Sequence, residues 1–121
     1  MVEKRVYAFR GAICTENTQV DIINNTKSLY ETLVSKNNLS EFDMISIQFT
    51  TTLDLTAINP AKALRLSGYA DSTPLFCAQE PVFEESLKKV IRIMIHAYSD
   101  KKPESVYLNG AQALRPDLTN D

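Results

Sequence analysis

The 121-residue sequence contains only two cysteines, one histidine and three glycines. Two cysteines as far apart as Cys14 and Cys77 argue against a disulfide framework and favour free thiols. No Cys/His pair has the spacing of a zinc site. The scattered glycines form neither a P-loop nor a dinucleotide-binding motif. We therefore expect no metal and no other cofactor.

Long apolar runs and an excess of positive charge are absent as well. No run of ~18 apolar residues could span a membrane, and the N-terminal residues lack the apolar core of a signal peptide. We therefore expect a cytoplasmic protein that does not associate with membranes. Lysine and arginine total 13 against 15 aspartate and glutamate, which gives a net charge of −2. That balance argues against a nucleic-acid binder, whose affinity needs a cationic face.

The residues that are present have the composition of a globular domain. Hydrophobic residues make up 44% of the chain and charged residues 23%, and a domain typically has ~100–150 residues. We expect a single domain over residues 1–121. Its tail, residues 114–121, has few apolar side chains to anchor it, so we expect the tail to be mobile without ligand.

The hydrophobic pattern predicts the element order β-α-β-α-β-β-β. The first helix begins at Thr18, which forms a weak capping box with Asp21, and ends near residues 37–38. The second begins at Pro60 and ends at Gly68, and a brief helical turn is expected at residues 84–87. Alternating or β-branched segments predict five strands, at residues 4–13, 44–52, 74–79, 88–98 and 105–108. We expect a mixed α/β (α+β) sheet with two main helices on one face.

Two arginines interrupt strand patterns of the buried type. Arginine is seldom buried without a partner, so Arg10 and Arg92 need an explanation. One explanation is contact with an anion in a pocket. The other is structural, with Arg92 at a sheet rim and paired with Glu80 or Glu84. The sequence leaves both open.

Other charged and aromatic candidates are weak when taken singly. Lys62 and Arg65 lie three residues apart on one helix face, a pattern typical of a solvated surface. Arg115 precedes Pro116 and is therefore held extended, but alone it is an ordinary tail charge. Tyr107 fits a core position as well as a ligand contact.

Nucleophilic catalysis is disfavoured. A cysteine nucleophile needs a histidine base, and His96 is the only histidine. The strand period places His96 on the face of Arg92 but ~13 Å further along. Glu80 could act as a general acid or base, but no second carboxylate lies at a useful spacing.

Taken together, the motifs resemble those of the monofunctional chorismate mutases of the trimeric α/β class, which differs from the all-helical class. The resemblance extends over almost the whole chain. In chain order its motifs are Arg10-Gly11-Ala12, Pro60-Ala61-Lys62-Ala63 with Arg65, Cys77-Ala78-Gln79-Glu80, Ile91-Arg92-Ile93-Met94, Val106-Tyr107-Leu108 and Leu114-Arg115-Pro116-Asp117-Leu118.

This resemblance implies an isomerase of aromatic amino acid biosynthesis that converts chorismate to prephenate by a [3,3] Claisen rearrangement without a cofactor. It implies a homotrimer that forms a pseudo-α/β-barrel with active sites at the subunit interfaces. Arg92 would contact the ether oxygen and a carboxylate, Arg10 and Tyr107 the other carboxylate, and Glu80 and Cys77 the ring hydroxyl. The other implied substrate-binding residues are Asn59, Ala61, Lys62, Arg65, Leu75, Phe76, Leu114 and Arg115. The family usually has an aromatic residue at the position of Asn59.

The implied reaction needs these residue types. A pericyclic rearrangement requires neither a nucleophile nor a proton transfer, in agreement with the lack of a catalytic dyad or triad in the sequence. It requires a compact pseudo-diaxial conformer and stabilisation of the charge that grows on the breaking C–O bond. Guanidinium groups suit both tasks because they stay charged and bind carboxylates in a fork.

Two other hypotheses fit part of the pattern. A non-catalytic binding module for a small dicarboxylate would explain the arginines without turnover. It predicts decay of Glu80, Cys77 or Arg92, and all three are present. A trimer of the reactive-intermediate deaminase kind would explain one interfacial arginine but not the segment at residues 115–118.

Overall fold

A computed structural model describes residues 3–118 of the chain. The predicted order of strands and α-helices is confirmed over that range. The elements are β1 (Arg5–Cys14), α1 (Gln19–Lys36), β2 (Met44–Thr51), α2 (Pro60–Leu66), β3 (Leu75–Gln79), β4 (Val90–Ser99) and β5 (Val106–Leu108). Three short 3-10 helices that the sequence analysis did not predict complete the described part, at Glu41–Asp43, Ala111–Leu114 and Pro116–Leu118.

Both α-helices begin where the sequence predicts, and each has a side-chain cap. The Thr18 hydroxyl accepts the Asp21 N–H at 3.0 Å and donates to the Asp21 carboxylate at 2.8 Å. At α2, the Asn59 side chain accepts the Ala61 N–H at 2.8 Å, and Pro60 follows as the first helical residue. Each cap satisfies one of the amide groups that a helix start leaves unpaired.

Two predicted boundaries are wrong, and a left-handed backbone explains both. The helical turn predicted at residues 84–87 is absent: residues 84–85 form a turn and residues 86–87 have no regular structure, because Glu85 has φ +62° and cannot continue a helix. The strand predicted at residues 88–98 begins later, because Lys89 has φ +55°. The Asp54 carboxylate accepts the Lys89 N–H at 3.1 Å and holds this conformation.

The five strands form one mixed sheet in the order β3-β2-β4-β1-β5. β4 runs antiparallel to both β1 and β2, while β5 is parallel to β1 and β3 is parallel to β2. The pairing aligns Arg92 of β4 with Ala12 on one side and with Thr50 on the other, and it aligns Arg10 with Met94. The predicted mixed sheet with two main helices is confirmed.

One face of the sheet, the covered face, packs against both helices and forms the main core. Its buried side chains are Phe9, Ile13, Ile47, Phe49, Ile91, Ile93 and Ile95 from the strands and Ile22, Leu29, Leu33 and Leu64 from the helices. A Cβ at Gly11 would lie 2.7 Å from the Val106 carbonyl oxygen and 3.2 Å from Leu29 Cδ1, so this position needs glycine. Neither α-helix within residues 3–118 is long and apolar enough to cross a membrane.

The opposite face, the open face, is covered by this chain only at one end. There the segment after β5 folds back and forms the small cluster, whose buried members are Ala12, Val90 and Ala111 and whose half-buried members are Cys14, Leu87, Tyr107 and Leu114. The tail thus begins with an apolar anchor and a short 3-10 helix at Pro116–Leu118. Its mobility stays a prediction, and its residues 119–121 lie outside the described residues.

Candidate functional site

Most of the residues proposed from the sequence as site residues fall into two surface regions. The first, the arginine pocket, is a cavity of about 260 Å³ on the open face, and its lining includes Arg10, Arg92, Tyr107 and Arg115. The second, the α2–β3 groove, has a volume of about 490 Å³, and its lining includes Asn59, Ala61, Lys62, Arg65, Leu75, Phe76 and Cys77. The two linings share no residue. Two proposed residues lie in neither region: Glu80 lines a separate cavity of about 260 Å³ next to Pro81, and Leu114 packs in the small cluster.

The arginine pocket owes its charge to strand pairing. Arg10 lies opposite Met94, which is two residues beyond Arg92 on the same face of β4. Arg10 and Arg92 are therefore diagonal neighbours, at a typical backbone separation of ~7–8 Å. Within the described residues Arg10 has no ion pair. Two neighbouring guanidinium groups, one without a carboxylate partner, are suited to bind an anion.

Arg92 has the partner that the structural hypothesis predicted. Its Nε lies 3.0 Å from Glu80 Oε2, with the arginine side chain 48% exposed and the glutamate side chain 20% exposed. The Thr50 hydroxyl donates to the same carboxylate oxygen at 2.5 Å. The ion pair is made through Nε, and Arg92 also lines the cavity. Pairing with Glu80 and contact with an anion are therefore compatible.

Arg115 shows how this surface holds a carboxylate. Its Nη2 and Nε donate to the two carboxylate oxygens of Asp117 at 2.8 and 3.0 Å. This fork lowers the pKa of Asp117, and the positive charge of Arg10 contributes to the lowering. Tyr107 is half-buried beside them, with Leu114 in the small cluster.

In the α2–β3 groove, two exposed cations face an edge strand. Lys62 and Arg65 are both exposed on α2, and neither forms an ion pair with a described residue. Phe76 is 63% exposed. The Asn59 side chain is engaged in capping α2, so this position contributes a helix cap and no aromatic surface to the groove.

Cys77 lies on the covered side of β3, away from the open face that carries Arg92. It packs against the main core, and burial raises the pKa of its thiol. His96 occupies the open face, as its alternation with Ile95 and Ala97 shows. The two side chains thus lie on opposite faces of the sheet and form no catalytic dyad.

The backbone of Cys77 points to a different place from its side chain. The Glu80 N–H donates to Thr51 O at 2.8 Å, and the Ile47 N–H donates to Pro74 O at 2.9 Å. Successive amides of a strand alternate in direction, so the Cys77 N–H lies on the outer edge of β3. That amide is a donor on the same strand that leads into Glu80.

Thr50 and Gln48 line the arginine pocket, and the sequence analysis did not identify either of them. Their alternation within β2 put them on one face, but only the pairing of β2 with β4 brings them next to Arg92. Within residues 3–118 no group of three or more His, Cys, Asp or Glu side chains is arranged to hold a metal ion.

Comparisons with known proteins agree on one family. The family model described as chorismate mutase type I matches residues 6–118. The chain is 36% identical over 119 aligned residues to the chorismate mutase AroH of Bacillus subtilis, with 94% of this chain and 93% of the relative covered. It is 34% identical over 118 residues to the chorismate mutase AroH of Thermus thermophilus, with 93% and 96% covered.

A solved structure shares the fold. The chorismate mutase from Clostridium thermocellum superimposes with a TM-score of 0.83 at 43% sequence identity. The match covers 88% of this chain and 98% of that structure.

Proposed function

This chain belongs to the chorismate mutase type I family, and we propose that the arginine pocket of one copy and the α2–β3 groove of a neighbouring copy together form its active site. Its function is the isomerisation of chorismate to prephenate, a step of aromatic amino acid biosynthesis. The observation that carries this conclusion is the family match over residues 6–118, together with relatives 34% and 36% identical over most of the chain.

The chemistry explains why cations dominate the proposed site. In the rearrangement one C–O bond breaks and one C–C bond forms within the same molecule, and no proton moves to the enzyme. The barrier falls when the enzyme holds the compact conformer and stabilises the negative charge that develops on the ether oxygen. Fixed guanidinium groups do both without reorganising in the transition state.

In this proposal Arg92 and Glu80 work as a pair. The ion pair through Nε leaves the terminal nitrogens of Arg92 to reach the ether oxygen and one substrate carboxylate. Arg10 and Tyr107 hold the other carboxylate from the adjoining strands. Glu80 accepts a hydrogen bond from the ring hydroxyl as an ionised carboxylate. Its negative charge also lies beside the ring as the ring becomes positive.

The groove supplies the remaining contacts. The outward amide of Cys77 would donate to the ring hydroxyl, so its thiol need not react. Lys62 and Arg65 add positive charge for the substrate dianion, and Leu75 and Phe76 supply apolar contact. Arg115 closes over the mouth once it leaves the Asp117 carboxylate for that of the substrate. Asn59 and Ala61 complete the groove at the start of α2.

A homotrimer is the assembly that we propose. Two observations support it: the two regions share no lining residue, and the open face leaves Val6, Met94 and Tyr98 exposed. Apolar side chains on an uncovered sheet face favour burial against another subunit. Three copies would unite each groove with the pocket of the next copy. A cytoplasmic location also stays a prediction.

Chorismate consumption by the purified protein tests the function. Absorbance should fall faster than in buffer or with heat-denatured protein, and proton NMR should identify prephenate as the product. Loss at the uncatalysed rate would overturn the proposal. Binding of chorismate without its consumption would instead support the non-catalytic binding module.

A further inference from the structure

We propose that Thr50 is a positioning residue: its hydroxyl fixes the Glu80 carboxylate so that one oxygen holds Arg92 and the other faces the substrate. The inference rests on the proposed function of this site. Neither the sequence pattern nor the family resemblance pointed to Thr50. Its hydroxyl donates to the Glu80 carboxylate. In this proposal Thr50 acts through Glu80 and does not contact the reacting atoms itself.

Strand pairing brings Thr50 to this place. It lies opposite Arg92 in the antiparallel pairing of β2 with β4, and beside Ala78 in the parallel pairing of β2 with β3. Its side chain is on the open face, between the strand that carries the arginine and the strand that leads into Glu80. The Glu80 N–H donates to Thr51 O at 2.8 Å, so the backbone of Glu80 is fixed to β2 as well.

The Thr50 hydroxyl and the Arg92 guanidinium contact the same oxygen of the Glu80 carboxylate. The Thr50 hydroxyl donates to Oε2 at 2.5 Å, and Arg92 Nε lies 3.0 Å from the same atom. Within the described residues no hydrogen bond engages Oε1. The hydroxyl and the guanidinium thus saturate one side of the carboxylate and leave the other side as an acceptor.

The geometry that the ion pair would adopt without the Thr50 hydroxyl shows why this hydrogen bond is important. An arginine and a carboxylate left to themselves prefer a fork with two parallel N–H···O bonds. In that fork Glu80 would take both Nε and one terminal nitrogen of Arg92, and it would turn Oε1 away from the substrate. The Thr50 hydroxyl, by holding Oε2, keeps a terminal nitrogen of Arg92 available for the ether oxygen.

The experiment compares Thr50→Val, which removes the donor, with Thr50→Ser, which keeps it. We expect Thr50→Val to lower kcat by about tenfold or more, the usual size of a hydrogen bond to a charged group, with KM within roughly twofold. Thr50→Ser should recover most of that loss. Thr26→Val is the matched control, because the Thr26 hydroxyl is buried in α1 without a hydrogen-bond partner in the described residues, and it should keep normal turnover.

A double-mutant cycle shows whether Thr50 acts through Glu80. In a Glu80→Gln background, Thr50→Val should cause much less further loss than in the wild type. Equal loss in both backgrounds would overturn the inference, and so would normal kcat in Thr50→Val.

A measurement without substrate separates this inference from the proposed function. In ¹⁵N NMR of the free protein, Thr50→Val should shift the side-chain signals of Arg92, including those of its terminal nitrogens, as the fork forms. Thr26→Val should leave them in place. A wild type that does not consume chorismate would remove the proposed function, while unchanged Arg92 signals in Thr50→Val would remove the positioning role.

Discussion

The two faces of the sheet have different roles: the covered face stabilises the fold, and the open face carries the arginine pocket. On the covered face, Ile91, Ile93 and Ile95 of β4 are buried against the helices. On the open face, the alternating residues Arg92 and Met94 of the same strand line the arginine pocket. Because a strand turns successive side chains to opposite faces, one ten-residue strand contributes to both the core and the site.

This difference explains how a cation is tolerated on a central strand of the sheet. Arg92 would be very unfavourable in the main core, where a buried charge needs full compensation. On the open face its side chain is about half exposed and has Glu80 as a partner. Neighbouring substitutions on β4 should therefore have opposite consequences, depending on the face.

The largest expected effect is the loss of activity in Arg92→Ala. Removal of one preorganised donor costs ~10²–10³ in rate, and we expect at least that loss in kcat from a folded protein of unchanged assembly. Arg92→Lys should recover only part, because an ammonium lacks the fork that reaches two oxygens. Turnover and melting temperature of both variants are to be measured together. A destabilised Arg92→Ala with nearly normal kcat would show that the arginine is only structural.

Ile95→Ala is the matched variant for the other face, because Ile95 does not line the arginine pocket. The side chain is buried in the main core, and truncation of a buried isoleucine costs about 2–5 kcal/mol of folding stability. Denaturant unfolding should show that loss, while the folded fraction keeps a kcat close to that of the wild type. If Ile95→Ala lost as much kcat as Arg92→Ala at full folding, the division between the faces would not hold.

The next largest effect is expected on assembly, when a charge is introduced on the open face. Tyr98 is 47% exposed and lies opposite Val6, so Tyr98→Glu would bury a charge if this face packs against neighbours. Light scattering should give about three times 13.6 kDa for the wild type and a smaller mass for Tyr98→Glu. Lys27→Glu, on an exposed position of α1, should keep the wild-type mass. A wild type that is a stable, active monomer would contradict the trimer.

The sequence predicted the elements well because their signals are local. Thr18 and Pro60 mark the starts of the two helices, and both helices begin there in the structure. The boundaries that failed depend on single backbone conformations. Glu85 and Lys89 adopt positive φ, which non-glycine residues do rarely and only where contacts such as the Asp54 carboxylate hold them.

The site could be predicted only in part, because it depends on which strands pair and the sequence does not indicate that pairing. Arg10 and Arg92 stand out in the sequence because they interrupt apolar strands, and the two do share one cavity. Nothing local indicates that β2 lies beside β4, so the contact of Thr50 with Glu80 was missed. The separation of the α2–β3 groove from the arginine pocket also depends on pairing, since β3 is the far edge of the sheet.

A smaller effect is expected at the end of the open face, where the tail lies. Deletion from Leu114 onward should raise KM more than it lowers kcat, because it removes contacts that are common to the ground and transition states. Since Leu114 also packs in the small cluster with Tyr107, Arg115→Ala is the cleaner variant and should show the same split. Steady-state kinetics of the deletion variant and of Arg115→Ala test this prediction. A fall in kcat of equal size at constant KM would contradict this role of the tail.

The smallest effect is expected for Cys77→Ser, on the covered side of the sheet edge. Burial raises the pKa of the thiol, so the side chain is neutral near pH 7 and is no nucleophile. The outward amide is unchanged by the substitution. Activity should stay within roughly tenfold of the wild type, the size of one neutral hydrogen bond at ~1 kcal/mol.

The pH profile sharpens this last prediction. If the thiol were the reactive group, kcat of the wild type would rise with pH as the thiolate formed, and Cys77→Ser would abolish that rise together with the activity. A neutral thiol predicts profiles of the same shape for the wild type and Cys77→Ser between about pH 6 and pH 9, the range below and around an ordinary thiol pKa of ~8.5. Cys14→Ser, at the other cysteine, controls for general thiol effects. Complete inactivation of a folded Cys77→Ser protein would mean that covalent catalysis has to be considered again.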